Sequence, residues 1–177
     1  MHVSAIEEYG VRCALQLASH TEQGPIAASK IAEKEGISVE YVSKIMHLFR
    51  KTGIVKAERG TQGGFILAKD PEEISLKEIF ATLQGKKDSL EVSSFCSQFT
   101  GNQEHCLHTQ ECSIRPVWMV VSSYFDEVLK SITLKDLLVK ESESRTFIGA
   151  LAAEKAKQVT QKIKKADSHQ KFLERHK

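Results

Sequence analysis

The sequence predicts a mainly α-helical protein with one small β-hairpin, and therefore an α+β fold. Two stretches with apolar residues at helical spacing lie on either side of Gly36 and predict a helix–turn–helix. Two short strand patterns follow at 54–58 and 65–69, joined by a glycine-containing connection. A long apolar stripe begins at Ile114. Together these patterns predict a winged helix–turn–helix domain plus a long dimerisation helix.

The first helix is predicted over residues 3–20 from an amphipathic pattern. Its buried side is marked by Ile6, Val11, Ala14, Leu15, Leu17 and Ala18. Its more exposed side is expected to carry Glu7, Glu8, Arg12 and Gln16. Cys13 falls on the apolar side and is expected to pack in the core.

The second helix of the helix–turn–helix lies between two helix-ending signals. Ser38 is the predicted N-cap, and Gly53 follows two basic residues and predicts the C-terminal end. The packed face is predicted to consist of Val39, Val42, Ile45, Met46 and Phe49. The other faces then carry Glu40, Tyr41, Ser43, Lys44 and His47, and part of this surface is free to read a partner.

Four segments are expected along the chain. Residues 1–84 form the winged helix–turn–helix domain, and residues 85–113 form an irregular loop with three of the four cysteines. Residues 114–140 supply a dimerisation helix and a short terminal helix. Residues 141–177 supply a basic, helical, loosely held tail. The dimerisation face is predicted to comprise Val117, Trp118, Val121, Tyr124, Phe125 and Val128.

Composition excludes several classes of protein. The formal net charge of +2 over 177 residues is too small to indicate nucleic-acid binding by itself. No stretch approaches the roughly 18 apolar residues of a membrane span, and the N-terminus lacks a signal-peptide core, so a cytoplasmic protein is expected. An enzyme is not expected, because GTQGG lacks the following Lys-Ser/Thr of a phosphate loop. The cysteines have His neighbours, but a long loop makes a poor catalytic pocket.

Three cysteines, Cys96, Cys106 and Cys112, form the pattern C-x9-C-x5-C in the predicted loop. Thiolates are soft ligands that suit iron–sulfur clusters or zinc, and a chain without an export signal keeps its thiols reduced. The residues alone leave four interpretations: an iron–sulfur site, a zinc site with His105 or His108 as fourth ligand, a thiol switch, or incidental loop cysteines.

Three local sequences carry a resemblance to a known family: MHVSAIEEYGVRCAL at the start, RGTQGG in the predicted wing, and SITLKDLL near residue 131. In this order they resemble the Rrf-type family of winged-helix transcriptional regulators, which includes IscR-like and NsrR-like members. The resemblance extends from residue 1 to about residue 140. It implies a DNA-binding regulator, expected to be a repressor, switched by a site that senses nitric oxide, redox state or iron–sulfur status.

The resemblance also implies a cofactor and its ligands. The cysteine segment corresponds to the family's cluster-binding segment, so Cys96, Cys106 and Cys112 are expected to hold a 2Fe-2S or 4Fe-4S cluster. IscR-like members have a histidine three residues after the last cysteine, where this chain has Arg115. NsrR-like members use a carboxylate in the first helix of the other subunit, and Glu8 falls on that position. Glu8 is therefore the expected fourth ligand, with His105 or His108 as the alternative. The alternatives are a metal-free, thiol-switched or zinc-bound winged-helix regulator.

The DNA contacts are expected from the start of the second reading helix and from the wing. Both the resemblance and helix–turn–helix geometry point to Ser38, Glu40, Tyr41, Ser43, Lys44, Arg59 and Gln62. A homodimer would place two such surfaces on two half-sites. The expected partner is therefore double-stranded DNA with a pseudo-palindromic operator.

Overall fold

The computed structural model describes residues 3–60, 63–84, 100, 104, 106, 108 and 112–174, with side chains as far as Lys162. Within these ranges it contains six α-helices: α1 Ala5–Ser19, α2 Ala28–Glu35, α3 Val39–Thr52, α4 Leu76–Gln84, α5 Arg115–Lys130 and α6 Glu141–Glu174. Two strands, β1 Val55–Glu58 and β2 Gly64–Leu67, form one antiparallel hairpin. The predicted fold class, mainly α with a small wing, is confirmed.

The start of α1 differs from the prediction at one residue. Glu7 is buried, whereas the amphipathic pattern predicted an exposed side chain. Its carboxylate accepts hydrogen bonds from the Ser4 backbone N–H at 2.6 Å and the Ser4 hydroxyl at 2.5 Å. Gln84 Nε2 donates a third at 2.5 Å. Burial is tolerated because these donors replace water around the carboxylate.

The helix–turn–helix forms where the sequence predicts it. Helix α2 ends at Gly36, whose φ of 66° is the left-handed conformation that glycine adopts without strain. Ser38 caps α3 by accepting a hydrogen bond from the Tyr41 backbone N–H at 3.1 Å, and α3 ends at Gly53. The two ends of α3 therefore follow from the local chemistry of these residues.

The buried face of α3 is one residue shorter than predicted. Val42, Ile45, Met46 and Phe49 have no exposed surface, but Val39 is 41% exposed. Val39 is the first residue of the helix, and the buried residues begin one turn later at Val42. The packed face was therefore predicted correctly except at its N-terminal end.

The wing is anchored to the segment before α2. Phe65 lies opposite Ala57 in the β1–β2 ladder and also exchanges two backbone hydrogen bonds with Ile26, of 2.9 and 3.1 Å. Ile26 is buried, as is Val55 at the start of β1. Ile26 thus adds a third, strand-like neighbour to the two-stranded hairpin. Ile26 and Val55 belong to the same buried core as the helices.

Residues of the chain group into two compact units. The first contains Met1–Lys86 and Leu129–Ser144, and the second contains Lys87–Val128 and Arg145–Lys177. In the first unit, the chain after α5 returns to the residues before α4. Leu76 N–H donates to Ile132 O at 2.8 Å, and Leu134 N–H donates to Ile74 O at 3.0 Å. The predicted short terminal helix is a single 3₁₀ turn, Lys135–Leu137.

In the second unit, α6 packs against α5. The Tyr124 hydroxyl donates to Ala152 O at 3.2 Å, and Lys162 Nζ lies 2.7 Å from Glu127 Oε1. Val159 is 2% exposed. The tail is helical from Glu141 to Glu174, and its middle part is held by burial of Val159 as well as by these two polar contacts. No helix among the described residues has both the length and the apolarity to cross a membrane.

Candidate nucleic-acid interface and cysteine site

Helix α3 presents a polar face beside its packed one. Glu40, Ser43, Lys44 and His47 are all exposed, although three of their sequence neighbours are completely buried. The basic residues Arg50, Lys51, Lys56 and Arg59 are exposed too. Lys and Arg side chains contact phosphates and guanine edges, and short polar side chains contact phosphates or base edges. This face therefore has the composition of a DNA-reading surface.

Two of the predicted DNA contacts have partners inside the domain. The Ser38 side-chain oxygen accepts the capping hydrogen bond from Tyr41 N–H. The Tyr41 ring is half-buried and packs edge-on against the Tyr9 ring, with centroids 5.9 Å apart and planes at 87°. Both residues thus shape the start of α3, and the Ser38 oxygen, which accepts the capping hydrogen bond, keeps its hydroxyl proton for a further partner.

The wing carries one exposed cation among the described residues of its tip, Arg59. Gln62, the other predicted wing contact, lies outside the described residues. The packing of the wing itself requires two of its glycines, Gly63 and Gly64. A Cβ on Gly64 would overlap the Ile26 backbone, and one on Gly63 would lie 2.9 Å from Gly60 O.

A polar cluster between α1 and α2 was not predicted from the sequence. Arg12 Nε donates to Glu35 Oε2 at 2.6 Å, and Gln16 Nε2 donates to Glu35 Oε1 at 2.5 Å. The hydrogen bond and charge of Glu35 raise the pKa of Arg12, and the Glu35 side chain is only 5% exposed. The sequence contains one signal of this cluster, the spacing of Arg12 and Gln16. The two residues are one helical turn apart, so their side chains can reach the same acceptor.

The structure describes two of the three loop cysteines. Cys106 and Cys112 are free thiols with intermediate exposure, and Cys96 lies outside the described residues, as does His105. His108 is exposed. No group of three potential metal ligands occurs among the residues described. Two accessible soft donors on one segment are compatible in chemistry with an iron–sulfur cluster or zinc.

Arg115 joins this segment to α5. Its guanidinium Nη2 donates to His108 O at 3.0 Å, and its backbone N–H donates to Cys112 O at 3.3 Å. Arg115 thus stands where IscR-like proteins are expected to have a histidine ligand, and it contacts the backbone instead. Residues 108 and 112 are consequently tied to the first turn of the helix.

The two neighbouring carboxylates of α1 have different environments. Glu7 is buried among hydrogen-bond donors, whereas the Glu8 side chain is exposed and makes no hydrogen bond or ion pair within the described part of the chain. Within the described residues, the Glu7 carboxylate is thus occupied by hydrogen-bond donors, whereas the Glu8 carboxylate is exposed.

The N-terminal half of α5 is covered by apolar side chains that remain exposed. Val117, Trp118 and Val121 are 48%, 39% and 39% exposed, whereas Tyr124, Phe125 and Val128 are half-buried. Tyr124 already bonds to α6. Exposed apolar patches are typical of protein–protein contact surfaces. By this criterion Val117, Trp118 and Val121 fit such a surface better than the three half-buried residues do.

Comparison with known proteins identifies the family. Residues 3–140 match the Rrf2 family, which is described as an iron-dependent transcriptional regulator. The chain belongs to the Rrf2 family. This Rrf2 protein is therefore a DNA-binding transcriptional regulator and not an enzyme. Helix α6 begins at Glu141, immediately after the matched residues, and is additional to the family's common part.

Individual relatives agree with this assignment. The regulator is 28% identical over 138 residues to the HTH-type transcriptional regulator IscR of Photorhabdus laumondii, covering 78% of this chain and 79% of that one. Among solved structures it resembles T. potens IscR, at 34% identity and a TM-score of 0.63, with 78% and 86% of the two chains covered. It also resembles CymR, the global cysteine regulator of B. subtilis, at 28% identity and a TM-score of 0.64, with 78% and 96% covered.

Proposed function

We propose that this Rrf2 regulator is a homodimeric repressor, active in the cytoplasm, whose affinity for a pseudo-palindromic operator is set by an iron–sulfur site. Cys96, Cys106 and Cys112 are the proposed protein ligands. The observation that carries the proposal is the pair of free, accessible thiols at Cys106 and Cys112, the second tied by its backbone to Arg115 in the first turn of α5.

DNA reading is assigned to α3 and the wing. The exposed residues Glu40, Ser43 and Lys44 lie in the first two turns of α3, which is the part of a recognition helix that reaches base edges. Ser38 and Tyr41 support that turn from its N-terminal end, and the Ser38 hydroxyl remains able to donate to a phosphate. Arg59, with Gln62, is assigned to the flanking minor groove or its phosphates.

The proposed dimer forms through α5. Burying Val117, Trp118 and Val121 against the same residues of a second copy would remove an exposed apolar surface from water. Two copies related by a twofold axis present two α3 helices to two half-sites. The operator is then expected to be pseudo-palindromic.

The cysteine segment is joined directly to that dimer contact. Thiolates at residues 96, 106 and 112 would bind the cluster, and Glu8 from the other subunit would supply an oxygen ligand. When bound, an iron–sulfur cluster supplies a centre that reacts with nitric oxide or oxidants and is sensitive to iron supply. Because Arg115 fixes the backbone at His108 and Cys112, any rearrangement of the thiolates is transmitted to the start of α5.

The decisive test compares single cysteine variants after anaerobic purification. Iron and sulfide are counted per chain, and operator affinity is measured by fluorescence anisotropy. Cys106→Ala and Cys112→Ala are expected to lose iron and to change operator affinity about tenfold or more. Cys13→Ala is the control, because Cys13 is fully buried in the core and should change neither quantity. Unchanged iron content and affinity in both loop variants would contradict the proposal.

A thiol switch without metal is the second candidate function. It is favoured by the free state of Cys106 and Cys112 and by similarity to the structure of the oxidized form of Staphylococcus aureus CymR, at 25% identity and a TM-score of 0.61. A colourless, iron-free protein whose operator affinity changes with oxidant and returns with reductant would support it. One zinc ion per chain would instead support the zinc-bound alternative.

A further inference from the structure

Three interactions connect α1 to both helices of the helix–turn–helix. Arg12 donates to the buried carboxylate of Glu35, at the end of α2. The Arg12 guanidinium carbon lies 5.3 Å from the centroid of the Tyr9 ring, within the range of a cation–π contact. The Tyr9 ring then packs edge-on against Tyr41 in the first turn of α3. The four side chains form one continuous series of contacts.

We propose that Arg12 and Tyr9 are positioning residues for DNA reading. They set the orientation of the first turn of α3 relative to α2 and contact no base themselves. This inference rests on α3 being the reading helix, as proposed above, and does not depend on the cysteine site.

The position of Tyr41 explains why this contact matters for reading. The Tyr41 backbone N–H donates the capping hydrogen bond to Ser38. The Tyr41 ring therefore belongs to the turn from which Glu40, Ser43 and Lys44 project. Hydrogen bonds to base edges tolerate displacements of only about 0.5 Å, whereas phosphate contacts through long side chains tolerate more. A shift of this turn should therefore reduce sequence discrimination more than it reduces general DNA affinity.

Arginine suits this place for a geometric reason. Its planar guanidinium donates through Nε to Glu35 and simultaneously lies over the Tyr9 ring, which the compact ammonium of lysine cannot reproduce. The Arg12 side chain is 43% exposed, so its removal leaves no large cavity. Glu35 also keeps its hydrogen bond from Gln16. Variants at Arg12 are thus expected to fold.

The test measures discrimination between two duplexes. One duplex is selected by the unmodified protein from a random-sequence pool, and the other is a scrambled duplex of the same composition. The ratio of the two affinities should fall about tenfold in Arg12→Gln and Tyr9→Leu, and less in Arg12→Lys, which keeps the charge. Tyr9→Phe keeps the ring and should retain the ratio. Affinity for the scrambled duplex should change little.

A matched control separates positioning from charge. Lys69 is also paired with a carboxylate, Glu78, and its side chain is 45% exposed. Lys69→Gln therefore removes one positive charge from the same unit without touching the aromatic contacts, and it should retain the ratio. Circular dichroism and iron content, measured on every full-length variant, should match the unmodified protein.

The outcomes distinguish this inference from the proposal on which it rests. An unchanged affinity ratio in folded Arg12→Gln and Tyr9→Leu would overturn the positioning role. If Tyr9→Leu does not fold, the comparison of Arg12→Gln with Lys69→Gln decides, and equal ratios overturn the role. Lys44→Ala tests whether α3 is the reading helix. If Lys44→Ala loses operator affinity and the Arg12 and Tyr9 variants do not, only the positioning role is overturned. If none of these variants loses operator affinity, both the positioning role and the assignment of α3 as the reading helix are overturned.

Discussion

Gln84 Nε2 donates a hydrogen bond of 2.5 Å to the buried carboxylate of Glu7, and this contact joins the first turn of α1 to the last residue of α4. The same carboxylate closes the capping box with Ser4. One acidic side chain therefore fixes both the start of α1 and the point at which the chain leaves α4 towards the cysteine segment. Its neighbour Glu8 remains exposed.

Replacing Glu7 and Glu8 by alanine should affect stability to very different extents. Glu7→Ala leaves partly buried donors on Ser4 and Gln84 without their acceptor, so the free energy of unfolding should fall by about 1–3 kcal/mol. Glu8→Ala should change it by less than about 0.5 kcal/mol. Urea unfolding of the two full-length variants checks this difference. Equal stability of the two variants would show that the Glu7 contacts contribute nothing.

Two glycines within helices should respond differently to alanine. A Cβ at Gly10 of α1 would overlap Leu83 Cδ1, and Leu83 is itself buried, so Gly10→Ala should destabilise by about 1–3 kcal/mol through overpacking. A Cβ at Gly149 of α6 meets no atom within 4 Å. Gly149→Ala should stabilise α6 by up to about 1 kcal/mol because alanine has the higher helix propensity. Thermal unfolding followed by circular dichroism measures both changes, and a stabilising Gly10→Ala would contradict the close packing of α1 on α4.

Cys13 should be much less reactive than the loop thiols. Burial raises the pKa of the Cys13 thiol to about 12, so the nucleophilic thiolate is scarce at neutral pH. In the folded, metal-free protein, iodoacetamide should label Cys106 and Cys112 and leave Cys13 unmodified, as mass spectrometry of peptides would report. Rapid labelling of Cys13 without unfolding would contradict its burial.

The same raised pKa predicts a pH dependence of stability. Because the folded protein retains the Cys13 proton to higher pH than the unfolded chain, its stabilising contribution is complete below the ordinary thiol pKa of about 8.5 and is lost as pH rises towards 12. The stability advantage of the unmodified protein over Cys13→Ala should therefore shrink between about pH 8 and pH 10.5. A constant difference across that interval would contradict the prediction.

Val159 and Val139 test whether α6 is held by packing. Val159 is 2% exposed and Val139 is 46% exposed. Val159→Ala should weaken the α6 contact by about 1.5–3 kcal/mol, whereas Val139→Ala should change stability by less than about 0.5 kcal/mol. Amide hydrogen exchange of residues 145–162 is the appropriate measurement, because it reports local opening of α6. Equally fast exchange in both variants and the unmodified protein would contradict this packing.

Local chemistry made much of the fold predictable. Ser38 and Gly53 bound α3 through a cap and a left-handed glycine, and these effects act within a few residues of the chain. The core positions of α3 followed from helical periodicity, apart from Val39 at the helix end. The family was also recognisable from short motifs, and the match over residues 3–140 confirms it.

The polar contacts of α1 were not predictable in the same way. Periodicity assigns a charged residue to the exposed side, but Glu7 is buried because its partner Gln84 comes from another helix, 77 positions away in sequence. Glu35 is buried for the same reason, since Arg12 and Gln16 reach it from α1. Sequence spacing alone does not reveal such partners, because they are brought together only when helices pack.

By itself, the sequence determined the helix–turn–helix and wing, the family, and the cysteines available for a sensor, because each depends on residues close together along the chain. Only the tertiary structure decided which α1 carboxylate is buried, that Tyr41 packs on Tyr9, that Val159 of α6 is buried, and that Tyr124 of α5 donates to Ala152 of α6. Those outcomes depend on side chains from distant segments competing for one interior, where a polar group is stable only if its partners arrive with it.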